Sequence, residues 1–87
     1  MTPQWYVYVL YSVSTGRLYT GISTSPSRRL REHNSSSGKG AKATRAGRPW
    51  KIVRVEPMPT KSTALKRELA IKAMKKTAKL LLVGLAA

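Results

Sequence analysis

From Trp5 to Tyr11 the chain reads Trp-Tyr-Val-Tyr-Val-Leu-Tyr, aromatic, β-branched or aliphatic at every position. Such a run fits a buried strand better than a helix, because bulky and β-branched side chains pack well on a pleated surface. Ser12 to Gly16 supply turn residues, and Arg17 to Ile22 form a second strand, so an antiparallel hairpin is expected. If the turn centres near Ser14 and Thr15, the two-residue alternation of side chains puts Tyr6, Tyr8 and Leu10 on one face with Arg17, Tyr19 and Gly21. Ser25 followed by Pro26 resembles an N-cap with proline at the first helical position, opening a helix from Pro26 to Asn34. On that helix Leu30 is the anchor, Arg29 and His33 flank it one turn apart, and Arg28, Arg31 and Glu32 fall away toward solvent.

Asn34 to Pro49 is rich in Ser, Gly, Lys and Arg, a loop by composition and too polar to help the core. Trp50 to Val55 make a third strand, and Pro57 and Pro59 break the chain before a second helix from Lys61 to Met74. A short third helix follows from Lys75 to Val83. The expected fold is α+β: one domain over residues 1–87, a small three-stranded antiparallel sheet flanked by helices in the order β-β-α-β-α-α.

Charge narrows the partner. The chain holds 17 Lys plus Arg against 3 acids, a formal charge of +14, which favours a polyanion and nucleic acid first. An anionic membrane surface comes second. The longest apolar run, Leu80 to Ala87, is far short of the ~20 residues a spanning helix needs, so no membrane segment is expected. The N-terminus lacks a basic stretch followed by an apolar one, so a cytoplasmic location is expected. Without cysteine, and with a single histidine, a zinc cluster is not expected. The carboxylate side chains are Glu32, Glu56 and Glu68, and any hard-metal site must be sparse.

Glu68 is the most informative of these. Ala64, Leu65 and Ile71 share its helix face, so a carboxylate sits in an apolar stripe. Burying it unpaired is costly; its pKa rises, a basic partner reaches it, or a metal ion binds it. Taken singly, the other candidates have bland explanations: strand tyrosines are usually core residues with the hydroxyl at the surface, His33 a boundary histidine, and Arg29 one cation among many.

Their order is more specific. Tyr6-Val7-Tyr8, then Tyr19-Thr20-Gly21, then Arg29 and His33, then Glu68 on a later helix resembles the GIY-YIG nuclease family over nearly the whole chain. The short stand-alone bacterial members are the most similar, through the WYVYVL, LYTGIS and RRLREHN segments, a Gly-Lys-Gly loop and the ALKRELAIK helix. The excision-repair endonucleases carry the same module in much larger proteins. The first glycine of the signature is Tyr6 here and the isoleucine of the second triplet is Thr20; neither substitution removes a group expected to do chemistry.

The resemblance implies that Tyr8, Tyr19, Arg29, His33 and Glu68 are catalytic and that Glu68 binds a single Mg²⁺ or Mn²⁺ contacting the scissile phosphate. One carboxylate suffices when waters and substrate oxygens complete the shell. Tyr8 is then the candidate base toward water, with nearby positive charge expected to lower its pKa and His33 to receive its proton. Tyr19 would bond the water or a phosphate oxygen, and Arg29 would clamp two phosphate oxygens. Gly21 would leave room for a backbone phosphate. Lys39, Lys42, Arg45 and Arg48 would grip flanking phosphates without reading bases. Trp5 and Trp50 are expected in the core rather than stacked on bases, and Leu80 to Leu85 on the sheet or a partner chain. The expected function is a metal-dependent endonuclease, on DNA rather than RNA. The rival is a basic nucleic-acid-binding protein that keeps the fold without turnover.

Overall fold

The computed structural model describes residues 3–36 and 39–85. Three strands, β1 (Trp5–Ser12), β2 (Leu18–Ser23) and β3 (Trp50–Met58), form one antiparallel sheet in the order β2-β1-β3. Helix α1 (Pro26–Asn34) joins β2 to β3, and α2 (Lys61–Lys72) and α3 (Lys76–Leu82) follow. The expected α+β order is observed, with a 3₁₀ turn at Lys42–Thr44 added inside the long connection.

The hairpin closes where the turn residues put it. Gly16 takes φ +73, its N–H donates to the Ser12 carbonyl, and Ser12 N–H donates to the Arg17 carbonyl. Tyr8 stands opposite Gly21 and Leu10 opposite Tyr19, so the expected face-sharing holds. Arg17 falls outside β2 and is exposed.

Alternation divides the core into two layers. On one face Val7 and Val9 pack with Ala64 and Ile71 of α2, with Met74, Leu82 and Val83 closing over them. On the other, Tyr8, Leu10 and Trp50 pack with Tyr19, Leu30 and Ile52. A β-bulge between Val9 and Leu10 serves both layers: Val9 pairs with Arg54 and Leu10 with Ile52, so Val53 is the extra residue. Val53 joins the α2 side while Ile52 and Trp50 serve the opposite face.

Several expectations change. The third strand runs on to Met58, through Pro57, because β3 is an edge strand where a missing N–H costs no ladder bond. Ser25 holds the N-cap position of α1 without a side-chain capping bond; its N–H donates to Ser23 Oγ instead. The second helix ends at Lys72 rather than Met74. On it Ala64 and Ile71 are buried, whereas Leu65 is 41% exposed, so Glu68 borders the buried stripe instead of lying in its middle. The C-terminal segment packs by halves: Leu82 and Val83 meet the core and Leu81 points outward.

Candidate active site

The central strand presents Tyr8, 1% exposed, from the face covered by α1. Its ring lies across Gly21 of the neighbouring strand: a Cβ at Gly21 would meet Tyr8 Oη at 2.6 Å and Cζ at 2.7 Å. The glycine therefore makes room for the phenol, not for a backbone phosphate as the sequence suggested. Any side chain there would displace the hydroxyl.

Helix α1 turns His33 inward. It is the buried residue of the helix, 1% exposed, while Leu30 is only partly covered, the reverse of the expected anchor and flank. The Tyr8 hydroxyl meets His33 Nε2 at 2.9 Å, and His33 Nδ1 meets Thr44 Oγ1 at 2.7 Å. Tyr19 completes an aromatic cluster, its ring centroid 4.9 Å from His33 and 6.4 Å from Tyr8.

Burial sets the electrostatics. Desolvation pushes the Tyr8 phenol up to about 12, against the pull of the Arg29 guanidinium beside it, and the Tyr19 and Glu68 charges add to the rise. The cation was expected to prevail; here burial outweighs it. Desolvation, aided by Arg29, lowers His33 to about 4, so at neutral pH the pair is a neutral phenol against a neutral imidazole. His33 also ties stability to pH. The unfolded chain takes up this proton near the ordinary value of 6.5 and the folded one only near 4, so stability falls as pH is lowered through that window. Melting curves across it should fall more steeply for the parent than for His33→Gln; equal slopes would contradict this account of His33.

Arg29 is held from two sides. Its Nη1 donates to Glu32 Oε1 at 2.6 Å and to the Lys39 carbonyl at 3.0 Å. Glu32 was expected to face solvent; its i,i+3 ion pair instead fixes the guanidinium next to Tyr8.

The remaining two glutamates differ in kind. Glu56 on β3 is clamped by Arg67 of α2 at 2.8 and 3.1 Å and by Arg54 at 2.5 Å, and Arg67 above all holds its carboxyl below the usual range. Among the described residues Glu68 meets only the half-exposed Lys72, at 3.4 Å, yet its side chain is 16% exposed and its charge reaches the Tyr8 phenol. A structural salt bridge therefore describes Glu56. Glu68 keeps oxygen lone pairs for another cation. Among the described residues no three His, Asp or Glu side chains gather into a metal cage, so an ion at Glu68 would be completed by water and substrate oxygens, as suits Mg²⁺.

This arrangement of two tyrosines, a guanidinium, a histidine and a lone carboxylate coincides with a family match: the model of the GIY-YIG catalytic domain covers residues 4–80. The chain belongs to the GIY-YIG family. Among its relatives, a UPF0213 protein of Desulfotalea psychrophila is 48% identical over 93% of this chain and 72% of its own length. Another, from Natronomonas pharaonis, is 42% identical over 97% of this chain and 95% of its own. The solution NMR structure of a UPF0213 protein from Bacillus halodurans superposes with a TM-score of 0.58 at 38% identity, covering 94% of this chain and 84% of that one. GIY-YIG proteins form a nuclease family, whose members are generally dependent on divalent metals. Among the described residues of this GIY-YIG domain, no helix is long and apolar enough to cross a membrane.

The basic loop is only partly gathered. Arg45 and Arg48 border a hollow of about 270 Å³ with His33, Gly40 and Thr44. Lys39 lies in a second hollow with Arg28, Arg31 and Glu32, and Lys42 is exposed on the 3₁₀ turn. The loop is also pinned. Arg48 Nη1 donates to the Ser35 carbonyl, Asn34 bonds the Trp50 backbone twice, and Ser12 Oγ donates to the Gly47 carbonyl. Trp50 is a core residue whose indole N–H donates to the Thr44 carbonyl, and Trp5 packs against the α2 layer. Thr44 is fully buried, in a loop expected to contribute nothing to the interior. No periodicity marks it; a threonine among lysines, arginines and glycines carries no sequence signal of burial.

Proposed function

We propose that this GIY-YIG domain is a divalent-metal-dependent endonuclease that hydrolyses phosphodiester bonds of nucleic acid, with DNA as the first substrate class. The observation that carries it is the buried Tyr8–His33 pair beside an oriented Arg29, with Glu68 as the glutamate that, among the described residues, no arginine clamps. The ion at Glu68, Mg²⁺ or Mn²⁺, would supply positive charge for the phosphate and the departing oxygen.

The protein's part is proton handling and charge placement. A water near Tyr8 gives a proton to the phenol oxygen as the phenol gives its own to His33 Nε2. The oxygen of that water bonds phosphorus and the far ester bond breaks, its electron pair leaving on the departing oxygen, which takes a proton from solvent. A phenol pushed up to about 12 stays un-ionised at neutral pH, so it takes the proton of the water only while passing its own to the neutral imidazole in the same motion. Arg29, fixed by Glu32, meets the growing negative charge on the phosphate oxygens. Tyr19 bonds the water or a phosphate oxygen. Lys39, Lys42, Arg45 and Arg48 hold the flanking strand.

Cleavage of end-labelled duplex, single-stranded and branched DNA and RNA, with Mg²⁺, Mn²⁺ or chelator, tests the reading. Metal-dependent products from at least one substrate are expected; tight binding with no product on any of them would favour a binder that keeps the fold. Binding itself should be electrostatic, each phosphate contact adding about −0.7 to −0.9 to the slope of log affinity against log salt. A flat salt response would contradict the role given to the loop cations.

A further inference from the structure

His33 is an acceptor for the Tyr8 proton only if its own ring proton sits on Nδ1, and at Nδ1 stands Thr44. We infer that Thr44 is a positioning residue that holds the His33 proton on Nδ1 and so keeps Nε2 bare toward the Tyr8 hydroxyl. The inference rests on the reading of Tyr8 and His33 given above and extends it to a residue outside the family signature.

The hydrogen-bond count makes the case. Thr44 has one hydroxyl hydrogen, and its Oγ1 donates to the Ala41 carbonyl at 2.8 Å. With that hydrogen spent, Thr44 Oγ1 faces Nδ1 at 2.7 Å as an acceptor, so Nδ1 carries the ring proton. Nε2 then accepts from Tyr8 at 2.9 Å, and one directional chain runs from Tyr8 through His33 and Thr44 to Ala41. The opposite tautomer breaks this chain at both ends. Thr44 would turn its hydrogen to Nδ1 and leave the Ala41 carbonyl with the Thr44 N–H, at 3.0 Å, as its remaining donor. At the other end an Nε2–H would donate to the Tyr8 oxygen, and the Tyr8 O–H would lose His33 as its acceptor beside the Arg29 guanidinium, which only donates. The Ala41 N–H, 3.4 Å from Nδ1, favours that second tautomer, but this contact is the longest at the ring and loses to the one at 2.7 Å.

The loop is built to bring Thr44 there. Gly40 lies so close to α1 that a Cβ would meet His33 Cα at 2.8 Å and the Glu32 carbonyl oxygen at 2.9 Å. On the far side the Trp50 indole N–H holds the Thr44 carbonyl at 3.0 Å. The groups facing His33 are Tyr8 from β1, Tyr19 from β2, Arg29 and Glu32 from its own helix, and Thr44 with Ala41 from the loop. Of these, Thr44 and Ala41 are the ones at Nδ1.

Because His33 is the sole histidine, ring ¹⁵N NMR of the whole chain reports its tautomer without assignment ambiguity. At neutral pH the parent and Thr44→Ser should show a protonated Nδ1 and a bare Nε2. Thr44→Val, which keeps shape and loses the hydroxyl, should gain the Nε2–H form. Its cleavage should fall about tenfold or more in kcat with KM little changed and with a shifted acid limb of the pH profile, and Thr44→Ser should restore both. An Nε2–H tautomer in the parent would overturn the inference, as would a Thr44→Val protein with the parent's spectrum and the parent's rate. The parent spectrum needs no variant to fold. If the parent cleaves nothing, the nuclease reading fails while the spectrum still decides the role of Thr44.

Discussion

Tyr8→Phe should lower cleavage by ~10²-fold or more, the usual scale for losing a positioned proton-transfer group. The ring is what packs with Leu10 and Trp50, and phenylalanine keeps it. What disappears is the hydroxyl at His33 Nε2 and, with it, the proposed first acceptor for the proton of the attacking water. Stability should drop by about 1–3 kcal/mol, the cost of leaving the buried His33 Nε2 without its partner. Nucleic-acid affinity should hold, since the proposed phosphate contacts lie on the loop and α1. Single-turnover rates with protein in excess isolate the chemical step; a Phe variant as fast as the parent would remove Tyr8 from the mechanism.

Glu68→Gln should abolish metal-dependent cleavage while leaving binding equal or tighter, because shape and polarity persist and the anionic oxygen is lost. The matched control is Glu56→Gln. Glu68 has one ion pair at 3.4 Å to a half-exposed lysine, of a kind whose removal costs about 0.5 kcal/mol or less. Glu56 accepts three bonds from Arg54 and Arg67, and its loss should cost about 1–2 kcal/mol even after solvent screening. The two variants should therefore separate: Glu68→Gln inactive with a near-parent melt in chelator, Glu56→Gln active with a lower one. The reverse pattern would make Glu68 the structural carboxylate.

That division was not legible from the chain. Spacing placed Glu68 on an apolar stripe, but the rule of three and four counts Leu65 as a buried neighbour, and tertiary packing leaves it exposed. Local periodicity did carry the hairpin, since the turn residues fix the register that sets Tyr8 against Gly21. It also carried α1, where Arg29 and His33 fall one turn apart. The bulge at Val9 and Leu10 escaped, because an inserted residue shifts the alternation without a Gly or Pro to announce it. Long-range partners escaped as well: Thr44 reaches His33 from a loop whose composition signals only solvent, and Glu32 pairs with Arg29 although the wheel turns it outward. Gly21 was visible, but the group that needs its space, the Tyr8 ring, became apparent only with the strands in register.

The central claim is hydrolysis at a single metal-assisted centre, and one measurement addresses it: single-turnover cleavage in ¹⁸O-enriched water, with Mg²⁺ or Mn²⁺ and in chelator. The expected result is cleavage only with metal, each new terminal phosphate carrying one solvent oxygen. Undiminished cleavage in chelator, or a strand bound tightly and left intact in every metal, would contradict it.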